Sequence, residues 1–308
     1  MSNRYSVEEY IEIKENEKKE LSEKLSNGIK DALNSDRYKN YLKLMSRCYN
    51  YSYTNSMLIY LQNENATIVK SFTDWKKDKV NINKEEKGIK IFCPVKKKIN
   101  IYKTDEKGEV FLNEKGEKVK VGEQEYITFN VGNVFDISQT NANPEDYQLK
   151  TESNEKVLNK EEIIKKLQEV SNIKFEFVTN LGRANGMYMP NEEKIKIRAN
   201  MGDIKTISTC VHEVAHSILH KVSSNLKLSN VQKEFEAESV AYVVCEKLNV
   251  DSKKNNFLYL ADWVEKEDLS EFKDSLERIQ KASNDILKKF ENQKENTNLK
   301  HKSSEVER

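Results

Sequence analysis

Three of the four histidines in this 308-residue chain fall within nine positions, in the run TISTCVHEVAHSILHK. The run has helical apolar periodicity and contains neither Pro nor Gly. His212 and His216 are four residues apart, which places them one turn apart on one helix face. Both imidazoles can then reach one ion at the roughly 2.0–2.1 Å that zinc requires of nitrogen. Glu213 completes an HExxH and projects beside that ion, where a carboxylate takes the proton of an attacking water as general base. With four His and 38 Glu in the chain, chance would supply such a pentapeptide with a probability of about 0.006. Metal ligation therefore outweighs a surface helix with incidental histidines. His220 is in phase, but it lies roughly 12 Å along the helix from His212, too far for both to share an ion, so it is expected to pack or to face solvent.

A third ligand is expected from NVQKEFEAESVAYVVCEKL, where Glu234, Glu236 and Glu238 precede a strongly apolar stretch. A helix bound for the core does not bury a carboxylate without a partner, and a cation supplies one. Glu234 and Glu238 share a face at i,i+4, whereas Glu236 points about 200° away from Glu234 and is expected on a solvated face. Glu234 is the expected third ligand and Glu238 the acceptor that orients a ligand imidazole through its distal N–H, with the swap of the two left open. Three protein ligands leave one coordination position for water, which is the hydrolytic arrangement. The expectation is a zinc-dependent metallopeptidase with one Zn²⁺ per chain, in a site that Mn²⁺ or Co²⁺ can also occupy.

The elements that must position these residues are legible from periodicity. In the second half they are a helix at 161–170, strands at KFEFVT, GMYMP and EKIKIR, and helices at 203–221 and 230–248. A further helix covers 268–290, and the tail beyond it, 291–308, is expected to be disordered. Strands preceding helices indicate an α+β domain over 161–290. GMYMP or EKIKIR, just before the HExxH helix, could pair an extended peptide substrate by strand addition. In the first half, about two helices span 7–44, and a third follows YSY with Thr54 or Asn55 as its N-cap. SFTDWKKDK reads as a short helix capped by Ser71, and from Gly88 alternating segments predict an antiparallel sheet of three to four strands ending near Thr140. Residues 141–160, poor in apolar side chains, read as a linker between an N-terminal domain over 1–140 and the second domain.

Composition bounds the class. Charged residues make up 33% of the 36.0 kDa chain, but 14 Tyr, 11 Phe and 2 Trp supply anchors that disordered chains lack. No apolar run approaches the roughly 20 residues that span a bilayer. The first residues, MSNRYSVEEYIEIKENEKKE, carry acids where a signal peptide has its apolar stretch. A cytoplasmic protein with no membrane partner is expected. The four cysteines form no CxxC, and buried reduced thiols are expected. The net charge of +1 hides a basic segment, 66–103, with eleven Lys against Asp74, Asp78, Glu85 and Glu86. Single strands are held by a cationic groove and by aromatic faces on which bases stack. Tyr51, Tyr53, Lys76, Lys77 and Lys90 are the candidates here for contacts with single-stranded DNA, while Tyr60 and Trp75 are expected in the core.

With HEVAHSILH followed by EFEAESVA (234–241), the second half resembles the zincin metallopeptidases of the ImmA/IrrE-like kind. The first half resembles the N-terminal domain of ArdC-type antirestriction proteins from plasmids and conjugative elements. The residues that carry this are YSYTNSMLIYLQNENATIVKSFTDWKKDKVNINKEEKGIKIFCPV (51–95) and VFDISQT (134–140). The paired resemblance implies single-stranded-DNA binding by the first domain, a metal-dependent peptidase fold in the second, and protection of incoming DNA from host restriction on a mobile genetic element. Two other functions fit the same residues. One is a DNA-binding shield with a structural zinc; the other is a regulatory protease that cleaves a repressor and docks a protein through its basic region.

Overall fold

The computed structural model describes residues 7–31, 35–104, 109–147, 160–221, 227–250 and 269–291. Most of the expected linker (148–159) and the expected tail (292–308) lie outside the described residues. The elements in chain order are α1 (Val7–Asp31), α2 (Ser35–Arg47), α3 (Tyr53–Gln62), β1 (Val69–Ser71), α4 (Phe72–Lys77), β2 (Ile89–Tyr102) and β3 (Lys120–Asp136). A short 3-10 turn (Ile137–Gln139) and α5 (Pro144–Tyr147) follow, then α6 (Lys160–Ser171), β4 (Lys174–Val178), β5 (Gly186–Met189), β6 (Lys194–Arg198), α7 (Asp203–Leu219), α8 (Asn230–Lys247) and α9 (Ser270–Glu291). The fold is α+β, with two three-stranded sheets.

The chain forms two compact units: Met1–Glu23 with Lys90–Asn133, and Lys24–Ile89 with Val134–Arg308. In the first unit β2 and β3 make a long ribbon whose Ile99, Ile101, Ile127 and Phe129 are exposed. Two of the expected strands in this region are isolated bridges, Thr104↔Val110 and Leu112↔Lys118. They lead to a tight turn in which the Asn113 side chain accepts from the amides of Lys115 and Glu117 and Gly116 takes a φ of +79°. A positive φ there suits glycine, which has no Cβ to clash.

The second unit holds the main core. Its sheet has the order β4-β6-β5, with β4 parallel to β6 (Lys174↔Lys194 to Val178↔Arg198) and β5 antiparallel to it (Gly186↔Ile197 to Met189↔Lys194). On the central strand Ile195 and Ile197 are fully buried, the period-two pattern of a strand with one face in the core. Helix α7 packs on β5 and β6, and α8 packs on α7; α2 and α9 in turn pack on α8. Tyr38 and Tyr41 of α2 and Met57 of α3 share one core with Phe235 of α8 and Phe272 of α9. This core therefore draws side chains from both sides of the segment read as a linker. Two buried polar contacts cross it: Tyr38 Oη and Ser239 Oγ are 2.8 Å apart, and the Gln280 amide donates to the Tyr49 carbonyl at 2.7 Å.

Caps fix the shorter helices. Ser71 accepts from the Asp74 amide at 3.1 Å, as its position before FTDW predicts. Helix α3 starts earlier than expected: its N-cap is Ser52, not Thr54 or Asn55, because Ser52 takes extended φ/ψ and accepts from the Asn55 amide. Tyr53 thereby becomes the first helical residue.

Cys48, Cys210 and Cys245 are buried, and burial pushes each thiol up to about 12. Thiolate is the nucleophile, so these three should resist a disulfide reagent such as DTNB in the native protein. The expected titration shows no more than one rapidly reacting thiol, from Cys93, and four after denaturation. Fast release of two or more equivalents from native protein would contradict this packing.

Candidate metal centre

Helix α7 carries the two histidines because its inner side is bound to the core through Ile207, Cys210, Val211, Val214 and Ala215, all buried. That burial fixes the rotation of the helix, and the i,i+4 pair emerges along the boundary facing α8. His212 Nε2 and His216 Nε2 are 3.0 Å apart. From the first half of α8, Glu234 brings Oε2 to 3.4 Å from His212 Nε2 and Oε1 to 3.3 Å from His216 Nε2. Helix α8 is started by a capping box in which Ser229 accepts from the Gln232 amide and the Gln232 side chain accepts from the Ser229 amide. One turn on from that cap, Glu234 meets the histidines.

Among the described residues, His212, His216 and Glu234 are the side chains whose ligand atoms converge within 4.8 Å of one another. The spacing passes a simple test. An ion bound tetrahedrally at 2.0–2.1 Å keeps its ligand atoms roughly 3.3–3.4 Å apart; the two Nε2 atoms are 3.0 Å apart, and each has a different oxygen of the Glu234 carboxylate at 3.3 or 3.4 Å. The donor set, two imidazole nitrogens and one carboxylate, suits a divalent metal ion.

The electrostatics agree. Hydrogen bonds to His212 and His216 hold the Glu234 carboxyl far below the usual carboxylate range. Burial opposes charge on His212, but the Glu234 bond and the fields of Glu213, Glu234 and Glu238 outweigh it and raise its pKa. His216 goes the other way, with burial dominant over its Glu234 bond. Glu213 is buried, which raises its pKa against the pull of His212. Its Oε2 accepts from the Tyr188 amide of β5 at 2.7 Å. Burial likewise raises Glu238, which lies within the field of His212.

Two residues differ from their sequence expectations. Glu236 is fully buried instead of solvated, because α9 covers the side of α8 turned away from His212 and His216. It accepts from Ser275 Oγ at 2.7 Å and from Arg278 Nε at 3.0 Å, and its Oε2 is 3.2 Å from His220 Nε2. Burial alone would raise the Glu236 carboxyl, but the bonds from His220, Arg278 and Ser275 hold it below its ordinary value. His220 is not a passive packing residue, for its Nδ1 is 3.0 Å from Nδ1 of His216. The i,i+4 spacing of His216 and His220 was a visible signal of that contact. Nothing in the sequence pointed to Arg278 or to the Tyr188 amide.

The residues expected to meet DNA lie elsewhere. Tyr51 and Tyr53 are half-buried; Tyr51 Oη donates to the Val69 carbonyl at 3.1 Å, and Tyr53 packs against the core. Lys76 and Lys77 are exposed on α4, with Lys77 paired to Asp74. Lys90 belongs to the other compact unit, where it is 3.4 Å from Glu17. Trp75, expected in the core, is fully buried and donates Nε1–H to the Phe135 carbonyl, while Phe72 beside it is exposed.

Residues 12–135 match the family described as the N-terminal domain of anti-restriction factor ArdC. That stretch of the chain is therefore similar to an ArdC N-terminal domain. The Mn(II)-bound crystal structure of antirestriction ArdC from the R388 plasmid shares the ArdC-like fold with a TM-score of 0.51 at 15% identity, over 86% of this chain and 97% of that one. The metal-free crystal structure of the same R388 protein gives 0.45 at 18% identity, over 79% of this chain and 86% of that one. A curated relative, the uncharacterized protein pXO2-81 of Bacillus anthracis, is 30% identical over 92% of this ArdC-like chain. The chain spans about half, 53%, of that relative's length.

A Cβ added at Gly186 would lie 2.6 Å from both Glu213 Oε1 and Thr209 Cγ2. Gly186→Ala must therefore displace the Glu213 carboxyl or push β5 off α7, at a cost of about 1–3 kcal/mol. The expected result is a lower melting temperature together with loss of whatever activity depends on Glu213. A fully stable, fully active Gly186→Ala variant would show that Glu213 is not held where the structure puts it.

Proposed function

We propose that this chain is a metal-dependent hydrolase of the zincin type, joined to a domain that binds single-stranded DNA and acting against restriction of incoming DNA. The observation that carries the hydrolase reading is the convergence of His212, His216 and Glu234 beside Glu213. Bound there, a divalent cation would polarise a carbonyl and acidify water. Zn²⁺ suits the donor set, and Mn²⁺ is a second candidate because the fold relative from R388 binds it. The protein's own part is to hold a proton acceptor in place. Glu213 is anchored by the Tyr188 amide and shielded from bulk water, which suits it to take a proton from the nucleophile and return it to a leaving amine. Glu238 stands as the acidic neighbour of His212 that would support that ligand.

A peptide or protein substrate fits this site better than a compact one. β5 is the edge strand of its sheet, and an extended chain laid along it by strand addition would pass the Glu213 carboxyl. The second half of the chain, in this reading, is the ImmA/IrrE-like peptidase that its HExxH and EFEAESVA motifs resemble. For the first half, the ArdC family match and the exposed lysines of α4 support contact with DNA phosphates, with Tyr51, Tyr53 and Lys90 as further candidates. Among the described residues no helix is long and apolar enough to cross a membrane.

Paired substitutions test the hydrolase. Glu213→Gln should retain one divalent ion per chain by metal analysis and lose cleavage by 10²-fold or more, whereas Glu234→Ala should lose the ion as well. Antirestriction activity that survives Glu213→Gln undiminished would point to a shield whose metal is structural.

Binding of a labelled oligonucleotide, followed by anisotropy, tests the DNA half. Affinity should fall linearly in log–log form as salt rises, with a slope of about −0.7 per phosphate contact, and Lys76→Ala should flatten that slope by about one contact. A salt-independent affinity would assign the basic region to a protein partner instead.

A further inference from the structure

We propose that His220, Glu236 and Arg278 form a positioning chain that fixes the tautomer and orientation of His216, so that helix α9, although it contributes no ligand, sets how well the site holds its cation. The inference rests on the metal reading above and names residues that reading does not use. Its basis is one unbroken set of contacts, all within hydrogen-bond reach. His216 Nδ1 meets His220 Nδ1 at 3.0 Å, His220 Nε2 meets Glu236 Oε2 at 3.2 Å, and Glu236 Oε1 accepts from Ser275 Oγ at 2.7 Å and Arg278 Nε at 3.0 Å.

With a cation held on His216 Nε2, the direction of each bond follows. An ionised carboxylate can only accept, and Glu236 is ringed by three donors, so the bond from His220 Nε2 must carry the proton. A neutral His220 protonated on Nε2 has a lone pair on Nδ1. That lone pair accepts from His216 Nδ1–H, which leaves the lone pair of His216 on Nε2. Nε2 is the atom that faces His212 and Glu234. Reversing any one bond would place a proton on His216 Nε2 and block it as a ligand. Metal-bound imidazoles depend on such a partner at the distal nitrogen, and its loss costs about 10–100-fold in metal affinity. Here the usual carboxylate is reached through a second imidazole.

The chain is also dry and anchored at its far end. Glu236 is fully buried, the His220 side chain is 5% exposed, and Arg278 reaches in from α9. α9 is held in place independently by Phe272, Leu276 and Ile279 in the core and by Gln280, which ties it to Tyr49. Loss of Gln280 would weaken the fold without touching the chain of contacts to His216, which makes it a fitting control.

Two measurements on the full chain decide the matter. In Zn²⁺-loaded protein, long-range ¹H–¹⁵N NMR of the imidazoles should show His216 protonated on Nδ1 and His220 on Nε2; His220 protonated on Nδ1 would overturn the proposal with no variant needed. In Co²⁺ titrations of the apoprotein, His220→Phe should bind 10–100-fold more weakly than wild type with a shifted d–d absorption band. Gln280→Leu should melt earlier yet keep wild-type affinity and band. If His220→Phe does not fold, Glu236→Gln, which keeps the acceptor oxygen and removes the charge, should weaken Co²⁺ binding in the same direction. Wild-type affinity and spectrum in His220→Phe, or in Glu236→Gln where it replaces it, would overturn the positioning chain alone. A wild-type protein that gives no saturable Co²⁺ band would instead sink the metal reading on which it stands.

Discussion

Two imidazole nitrogens 3.0 Å apart, with the oxygens of one carboxylate 3.3 and 3.4 Å from them, crowd lone pairs and a negative charge together, an arrangement that positive charge among them stabilises. The rest of the second unit is arranged around that demand. α7 cannot rotate to separate its histidines, since its other side is locked by Cys210, Val211, Val214 and Ala215, each fully buried. α8 cannot withdraw Glu234, since Phe235, Ala237 and Val240 beside it are equally locked. The site is thus the meeting line of two helices whose orientations are set by apolar packing on the opposite sides. Geometry that tight is what a metal site needs, and loops would not supply it.

Three carboxylates two residues apart on α8 have three different fates, and the reason is what each one faces. Glu234 faces two imidazoles and is driven strongly to its ionised form. Glu236 faces a guanidinium, a hydroxyl and an imidazole, and is ionised although it has no solvent contact. Glu238 sits between burial, which raises it, and His212, which lowers it, with burial the larger effect. The same residue type at i, i+2 and i+4 becomes a ligand candidate, the hub of a buried network and a neighbour with raised pKa. Helix α8 packs against α7, α2 and α9, so the fate of each carboxylate depends on which of these neighbours it meets.

The N-terminal part works differently. Its candidate DNA contacts are spread over the start of α3, α4 and the start of β2 instead of converging on one group. Most of its elements were legible in the sequence: the helices of 7–44, the Ser71 cap and the burial of Trp75 follow from periodicity and local capping chemistry. Of the ribbon, β2 is the 14-residue alternating segment IKIFCPVKKKINIY that its period predicts, whereas β3 was harder, because Gly122 suggested a break where the strand runs on through 17 residues. The start of α3 was displaced for a related reason. Ser52, Thr54 and Asn55 are all competent caps, and the choice among them fell to the backbone angles that the preceding turn imposes.

What the sequence determined by itself was the chemistry of adjacency. HExxH on an uninterrupted apolar helix fixes two ligands and a neighbouring carboxylate through the pitch of the helix alone, and EFEAESVA places an acid on the next helix at a spacing that can meet them. Only the tertiary structure decided which acids were buried, and by what. Glu236 looked solvated because helical rotation says where a side chain points and not what stands there, and what stands there is α9, some forty residues further along the chain. For the same reason the sequence showed His220 in phase with His216 but not that a carboxylate and an arginine close the line behind it: contacts between helices far apart in sequence follow from how apolar surfaces fit, which no local period encodes.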